Sequence, residues 1–304
     1  MADKVYTNEE ILKAATKIRK SILGIALRIG GCYLAQACSS ADLVATLYLR
    51  ILNLGPSLGN KEALPFPGVP SPTNMDYQKG STYNGYNPKN PDYSKDRFFV
   101  SCCHYASVIY CALVEAGRID ASAIEKFNVD GWNMEMIGAE HSPGFENTAG
   151  SLGQTISIAA GTAHAYKMKG HTGNIVCMLS DGEIEEGQDW ECFQAASFYK
   201  LENLIVYVDK NGQQVEGYTK DVMPTEPLVE RMHAFGWECV EVDGHNIDAI
   251  TEASKTPHKG KPLMIICDTC PWQGIPLLKP MMPKHYPRIP KEQKEEFQKF
   301  YESM

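Results

Sequence analysis

Two short acidic turns carry the residues best suited to chemistry. The first is Ser180-Asp181-Gly182-Glu183-Ile184-Glu185-Glu186-Gly187, the second Asp209-Lys210-Asn211-Gly212-Gln213. Each follows an apolar, β-branched run, 175–179 and 204–208, and a helix-like stretch over about 185–200 separates them. Parallel strands joined in this way bring both turns to the carboxyl edge of one sheet, where open α/β sheets bind ligands. Asp181 and Asn211 can then converge on one point. A carboxylate, an amide oxygen and a nearby main-chain carbonyl are hard donors that suit Mg²⁺ or Ca²⁺, above all when a diphosphate fills the remaining positions. Gly182 lets the backbone come close to a phosphate. Taken singly, Asp181 reads as a helix cap and Asn211 as a turn residue; the pairing of the two turns makes the case for a site.

A sheet must carry these turns, and the rest of the chain supplies one. A helix is expected over 8–29, capped by Asn8, with Ile11, Ala15, Ile18, Ile22 and Ile25 at helical spacing and Gly30-Gly31 ending it. A second is expected over about 40–52, capped by Ser40. Strands are expected at 97–100, 237–242 and 263–267, and helices at 104–117, 120–128, 226–235, 247–254 and 290–304. Residues 150–169 read as a helix rich in small residues, built for close packing. Strands alternating with helices predict an α/β fold, a doubly wound, mostly parallel sheet flanked by helices, in one domain over 1–304. Proline, glycine and tyrosine crowd 55–96, which has little periodicity. So long a loop is functional or an insertion, and Phe66, Tyr77, Tyr83, Tyr86 and Tyr93 give it surface to bury.

Composition narrows the partners. The chain has 304 residues, 43% of them hydrophobic, and a net charge of −8. That balance argues against nucleic acid or an anionic membrane as a partner. No apolar run reaches the ~20 residues of a membrane helix, and the amino terminus shows no signal peptide. Ten cysteines sit mostly in apolar segments, as reduced core cysteines do, which fits the cytoplasm. Cys267-Asp268-Thr269-Cys270 lacks the second half of a zinc site and the context of a redox motif.

The paired turns resemble the thiamine diphosphate signature. The longer stretches 186–191 and 211–217, with 150–154 (Gly-Ser-Leu-Gly-Gln), resemble transketolase over about residues 11–300, corresponding to the amino-terminal half of a full-length enzyme. That half holds the cofactor's diphosphate. The resemblance implies a split, thiamine diphosphate-dependent transketolase that moves a two-carbon ketol unit from a ketose to an aldose. It further implies a partner subunit carrying the pyrimidine-binding domain, with two copies of each chain.

By the same resemblance, Asp181, Asn211 and the main-chain carbonyl of Gln213 hold the metal, Mg²⁺ or Ca²⁺. Ser180, standing where the family has glycine, Asp181, Gly182 and Asn211 surround the diphosphate. Gly150, Ser151 and Leu152 meet the cofactor's ring. Glu186 and Glu191 match carboxylates that link the two cofactor sites, whereas Glu183 and Glu185 read as solvated charges at a helix start. His104 and His285 approach the phosphate and the reacting carbons, and His141 is a candidate substrate contact. Tyr33 replaces a family histidine that touches substrate hydroxyls, and tyrosine is bulkier and titrates far higher. That change and the 55–96 insertion leave room for an unusual ketose, branched or sulfonated. Two alternatives stand beside this reading: the cofactor subunit of a 2-oxo acid dehydrogenase or decarboxylase, and a non-catalytic subunit that keeps the fold.

Overall fold

The computed structural model describes residues 5–69, 71–148 and 150–304; the first four residues of the amino-terminal stretch and Pro70 of the 55–96 segment lie outside the described residues. The chain begins with helix α1 (Asn8–Ile29), α2 (Leu34–Thr46), β1 (Arg97–Val100), α3 (Ala106–Glu115), α4 (Gln154–Lys169), β2 (Ile175–Ser180), α5 (Gly187–Phe198) and β3 (Leu204–Lys210). There follow β4 (Gln213–Gln214), β5 (Gly217–Tyr218), α6 (Thr219–Val222), α7 (Leu228–Ala234), β6 (Glu238–Asp243), α8 (Ile247–Ala253), β7 (Leu263–Asp268) and α9 (Lys294–Ser303). Five strands form one parallel sheet in the order β1-β2-β3-β7-β6, and β4 and β5 make a small antiparallel hairpin.

The apolar strand runs are continuous because both faces of the sheet are covered, as parallel sheets require. Alternate residues face opposite layers. Phe98, Val100, Val176, Met178, Tyr207, Leu263 and Ile265 join a core with α1, α2, α3, α8 and α9. Phe99, Ile175, Cys177, Leu179, Val206, Val208 and Ile266 join a second core with α4, α5 and α7. This is the doubly wound arrangement expected from the sequence.

Local starts differ from expectation at three places. Helix α1 is capped by Thr7, not Asn8: Glu10 N donates to Thr7 Oγ1 at 3.2 Å, and Thr7 N donates to the Glu10 carboxylate at 2.9 Å, so two end donors are satisfied reciprocally. Helix α2 begins at Leu34, and all of it is buried. Ser40 lies inside it, its hydroxyl donating to Gln36 O at 2.7 Å instead of capping. Helix α4 begins only at Gln154, with Gly153 in the left-handed region at φ 79°. Residues 150–153 are therefore a turn presented ahead of the helix.

The 55–96 segment is stitched to the body. Tyr83 is fully buried, Gly80 N donates to Glu140 O at 2.7 Å, and Gly144 N donates back to Gly80 O at 3.0 Å. Tyr93 stacks on His171 at 3.9 Å, and the Arg97 guanidinium lies 3.5 Å from the Tyr86 ring centre. All ten cysteines are free thiols, and only Cys270 is not buried. Among the described residues no helix is long and apolar enough to cross a membrane.

Candidate functional site

The β2–β3 register sets Ser180 opposite Asp209, so the two acidic turns leave the sheet side by side. Asp181 Oδ2 accepts from Gly212 N at 2.8 Å, and Asn211 Oδ1 accepts from Gln213 N at 3.0 Å. The two side-chain oxygens are thus held by neighbouring amides of one turn. Among the described residues no group of three or more His, Cys, Asp or Glu is arranged around a metal. The donor set here is of another kind, one carboxylate with an amide and a main-chain carbonyl. Such a set holds a hard cation only together with an oxygen-rich ligand, which fits a metal diphosphate. Burial, with Asp209 second, pushes the Asp181 carboxyl up to about 7. Gly182 is tightly approached by the hairpin; a Cβ there would lie 3.1 Å from that of Gln214.

Asp209, fully buried, organises this corner. Its carboxylate accepts from Ser39 Oγ at 2.6 Å, Tyr105 OH at 2.7 Å, Thr269 Oγ1 at 2.6 Å and Asn211 Nδ2 at 3.0 Å. Four segments of the fold meet on one acid. Because Asn211 gives its Nδ2 to Asp209 and to Tyr105 OH, at 3.1 Å, its Oδ1 is the atom left for a cation.

Glu183 is not solvated, contrary to expectation. It is fully buried, accepts from Gly153 N at 2.9 Å and from the Ser101 hydroxyl, and burial pushes it up to about 7. It therefore ties the 180–183 turn to the 150–153 turn and to the loop before His104. The reason is steric: the 3₁₀ turn Glu183–Glu185 points its first residue inward before α5 starts. Asp189, in the first turn of α5, is also fully buried, and neither of its oxygens has a partner. Burial, then Glu183 and Glu186, push it up to about 9.

Facing these turns is a cleft of about 560 Å³ lined by His104, Leu152, Ser180, Gly182, Gln213 and His285, among others. His104, in the short 3₁₀ turn that leads into α3, and His285, in the connection before α9, have ring centres 5.3 Å apart, with Tyr33 at 4.9 Å and 5.7 Å from them. The structure thus brings together three residues far apart in sequence. Burial pushes His104 down to about 3 and His285 to about 4, so both are neutral near pH 7. Gly150 and Ser151 are exposed in the turn before α4; Glu186, the N-cap of α5, is exposed and lines the cleft, and Glu191 is exposed on α5. His141 is not among the residues lining the cleft; it packs against Phe66 at 5.2 Å and pairs with Glu135 at 2.7 Å.

Sequence reasoning missed Gln36, Asp209 and Asp189, and misassigned Glu183. For Asp209, its position two residues before Asn211 at a strand end was a usable signal. For the others the signal lies only in the tertiary partners.

The parallel sheet flanked by helices, with a cleft at its carboxyl edge, is the thiamine diphosphate-binding fold. Residues 67–299 match the family described as the transketolase, thiamine diphosphate binding domain, and the chain belongs to the transketolase family. It is 30% identical over 286 residues to an apulose-4-phosphate transketolase subunit of Actinobacillus succinogenes, covering 93% of this chain and 92% of that one. It is 29% identical over 281 residues to the 6-deoxy-6-sulfo-D-fructose transketolase subunit SqwG of Clostridium sp., covering 91% of each. In fold it matches the transketolase of Campylobacter jejuni with a TM-score of 0.69 at 19% identity, covering 98% of this chain. The chain spans about half of that solved structure, 47% of its length.

Proposed function

We propose that this chain is the diphosphate-binding subunit of a split transketolase, one domain over 1–304, working in the cytoplasm with a partner subunit that carries the pyrimidine-binding domain, two copies of each. The observation that carries the reading is the cleft at the carboxyl edge of the sheet, where Ser180, Gly182 and Gln213 of the two acidic turns line one cavity with the two neutral histidines. Asp181, Asn211 and the Gln213 carbonyl would hold Mg²⁺ with thiamine diphosphate. When bound, that cofactor supplies the carbanion chemistry by which a two-carbon ketol unit leaves a ketose for an aldose.

This chain's own residues bind and orient. Glu183 fixes the turn that offers Gly150, Ser151 and Leu152 to the ring. Ser180 and Gly182 line the phosphate end. His104 and His285, neutral near pH 7, can give or accept a hydrogen bond at the substrate without adding charge. Glu186, at the start of α5, and Glu191, on it, are exposed and available to a partner that links two sites. Tyr33 puts a phenol where the family has a histidine, beside both His104 and His285, whereas His141, buried outside the cleft, drops out of the proposed substrate contacts. The two subunit relatives are named for 6-deoxy-6-sulfo-D-fructose and apulose-4-phosphate, which supports an unusual ketose as donor.

The test is reconstitution. The chain and its partner are mixed with Mg²⁺ and thiamine diphosphate and offered a panel of plain, branched and sulfonated ketoses with an aldose acceptor. Ketol transfer by the pair, absent from either chain alone, is expected. Decarboxylation of 2-oxo acids in its place, or cofactor binding without turnover of any ketose, would overturn the reading.

A further inference from the structure

Gln36 does not belong to any of the motifs above, yet it touches the reacting end of the cleft. It sits in the first turn of α2, 1% exposed, and its Nε2 lies 2.6 Å from His285 Nδ1. Its main chain is held as well, since the Ser40 hydroxyl donates to Gln36 O at 2.7 Å. The opposite segment is fastened with equal care. Tyr286 OH donates to Gly31 O at 2.7 Å, and the Tyr286 ring stands edge-on to Tyr33 at 5.1 Å. Gly31, at φ 155°, is approached so closely that a Cβ there would lie 3.0 Å from the Tyr286 ring. The start of α2 and residues 285–288 therefore form one rigid contact, with the Gln36–His285 bond inside it.

An amide nitrogen carries only donors. A neutral imidazole that accepts at Nδ1 must carry its proton on Nε2. We propose that Gln36 is a positioning residue that holds His285 in the Nε2–H tautomer, so that the ring offers the cleft a hydrogen-bond donor and not an acceptor. His104, whose own Nε2 is buried without a partner, stands beside it. The groups facing His285 are Tyr33 just before α2, Gln36 from α2, His104 from the loop after β1, Tyr286 from its own segment and Glu216 from the β4–β5 hairpin. Glu216 alone among them is charged at neutral pH, and it is exposed, so the amide is the group that selects the tautomer. A donor at this point suits a substrate hydroxyl or phosphate oxygen. That consequence rests on the function proposed above, whereas the tautomer itself does not.

The experiment reads the tautomer directly. Histidine-labelled chain is examined by long-range ¹H–¹⁵N correlation, with His285 assigned by its loss in a His285→Phe variant. Wild type is expected to show a protonated Nε2 and an unprotonated Nδ1 from pH 6 to 8. Gln36→Glu puts an acceptor at Nδ1, so the proton should move there and the His285 pKa should rise by about one unit or more. Gln36→Leu should leave a mixture. A wild-type ring protonated on Nδ1 would sink the proposal even if no variant folded, and so would one tautomer shared by all three proteins. Because the spectrum needs neither partner nor substrate, it stands or falls separately from the transketolase reading. In the reconstituted pair, a shift of the pH profile of kcat/KM in Gln36→Glu then reports the consequence.

Discussion

At the scale of single residues, the acids around the 150–153 turn have the plainest consequence. Asp189 is buried with both oxygens unpartnered and titrates near 9, whereas an unfolded aspartate ionises near 4. Between those values the folded chain keeps a proton that the unfolded chain has lost. Stability from this group is therefore complete below about pH 4 and drains away as pH rises toward 9. His104 and His285 run the other way, since their depressed values cost stability as pH falls below about 6.5; these and the raised Asp181 and Glu183, at about 7, are common to wild type and an Asp189 variant, so the difference between the two proteins isolates Asp189. Asp189→Asn removes the titration and keeps the shape. The variant should gain stability over wild type, and the gain should grow by ~1–3 kcal/mol between pH 6.5 and 8.5. Urea unfolding of the cation-free chain at the two pH values measures it; a gain independent of pH would show that Asp189 does not carry the proton assigned to it.

At the scale of elements, the strands were the most legible part of the sequence, because a parallel sheet covered on both faces leaves unbroken β-branched runs. The two acidic turns were legible for the same reason, as each comes directly after such a run. The features that stayed hidden depend on distant partners. Gln36 meets a histidine 249 residues away, and Asp209 draws donors from 170, 104 and 60 residues away. Glu183 looked like a surface charge because only the tertiary fold closes Ser101 and Gly153 over it. The start of α2 was misplaced because its N-cap, Tyr33, makes no side-chain capping bond, so no Ser, Thr, Asp or Asn marks it in the sequence. The 55–96 segment has no periodicity to read, yet its attachment can be tested at Gly80. A Cβ at that position would overlap Ser142 O and lie 2.6 Å from Phe145 O. Both are backbone atoms that cannot swing aside, so Gly80→Ala should cost at least ~2 kcal/mol and speed proteolysis within 55–96. Gly161, on the exposed side of α4 with nothing within 4 Å, is the control. There alanine should be neutral or stabilise by up to ~1 kcal/mol. Equal effects at the two sites would mean that the segment is not packed as described.

At the scale of the whole molecule, the question is how much of the cofactor one chain can hold. The groups gathered at the sheet edge are of two kinds. In the function proposed above, Asp181, Asn211, Gly182 and Ser180 address a metal and its phosphates, and only the short turn at 150–152 and the side chain of Leu152 are offered to a ring. With a net charge of −8, the chain has no general attraction for a diphosphate, so its affinity must come through the cation. The isolated chain with Mg²⁺ should behave accordingly. Binding should vanish when the cation is chelated. Pyrophosphate should bind within about tenfold of thiamine diphosphate, since tenfold is only 1.4 kcal/mol and the ring has little to bury against. Adding the pyrimidine-binding partner should change this selectively, raising affinity for thiamine diphosphate by a hundredfold or more and leaving pyrophosphate nearly where it was. Calorimetric titration of both ligands, with and without the partner, gives the four constants needed. If the chain alone already prefers the full cofactor by a hundredfold, then it holds the ring as well as the phosphates, and the division of the site between two subunits is wrong.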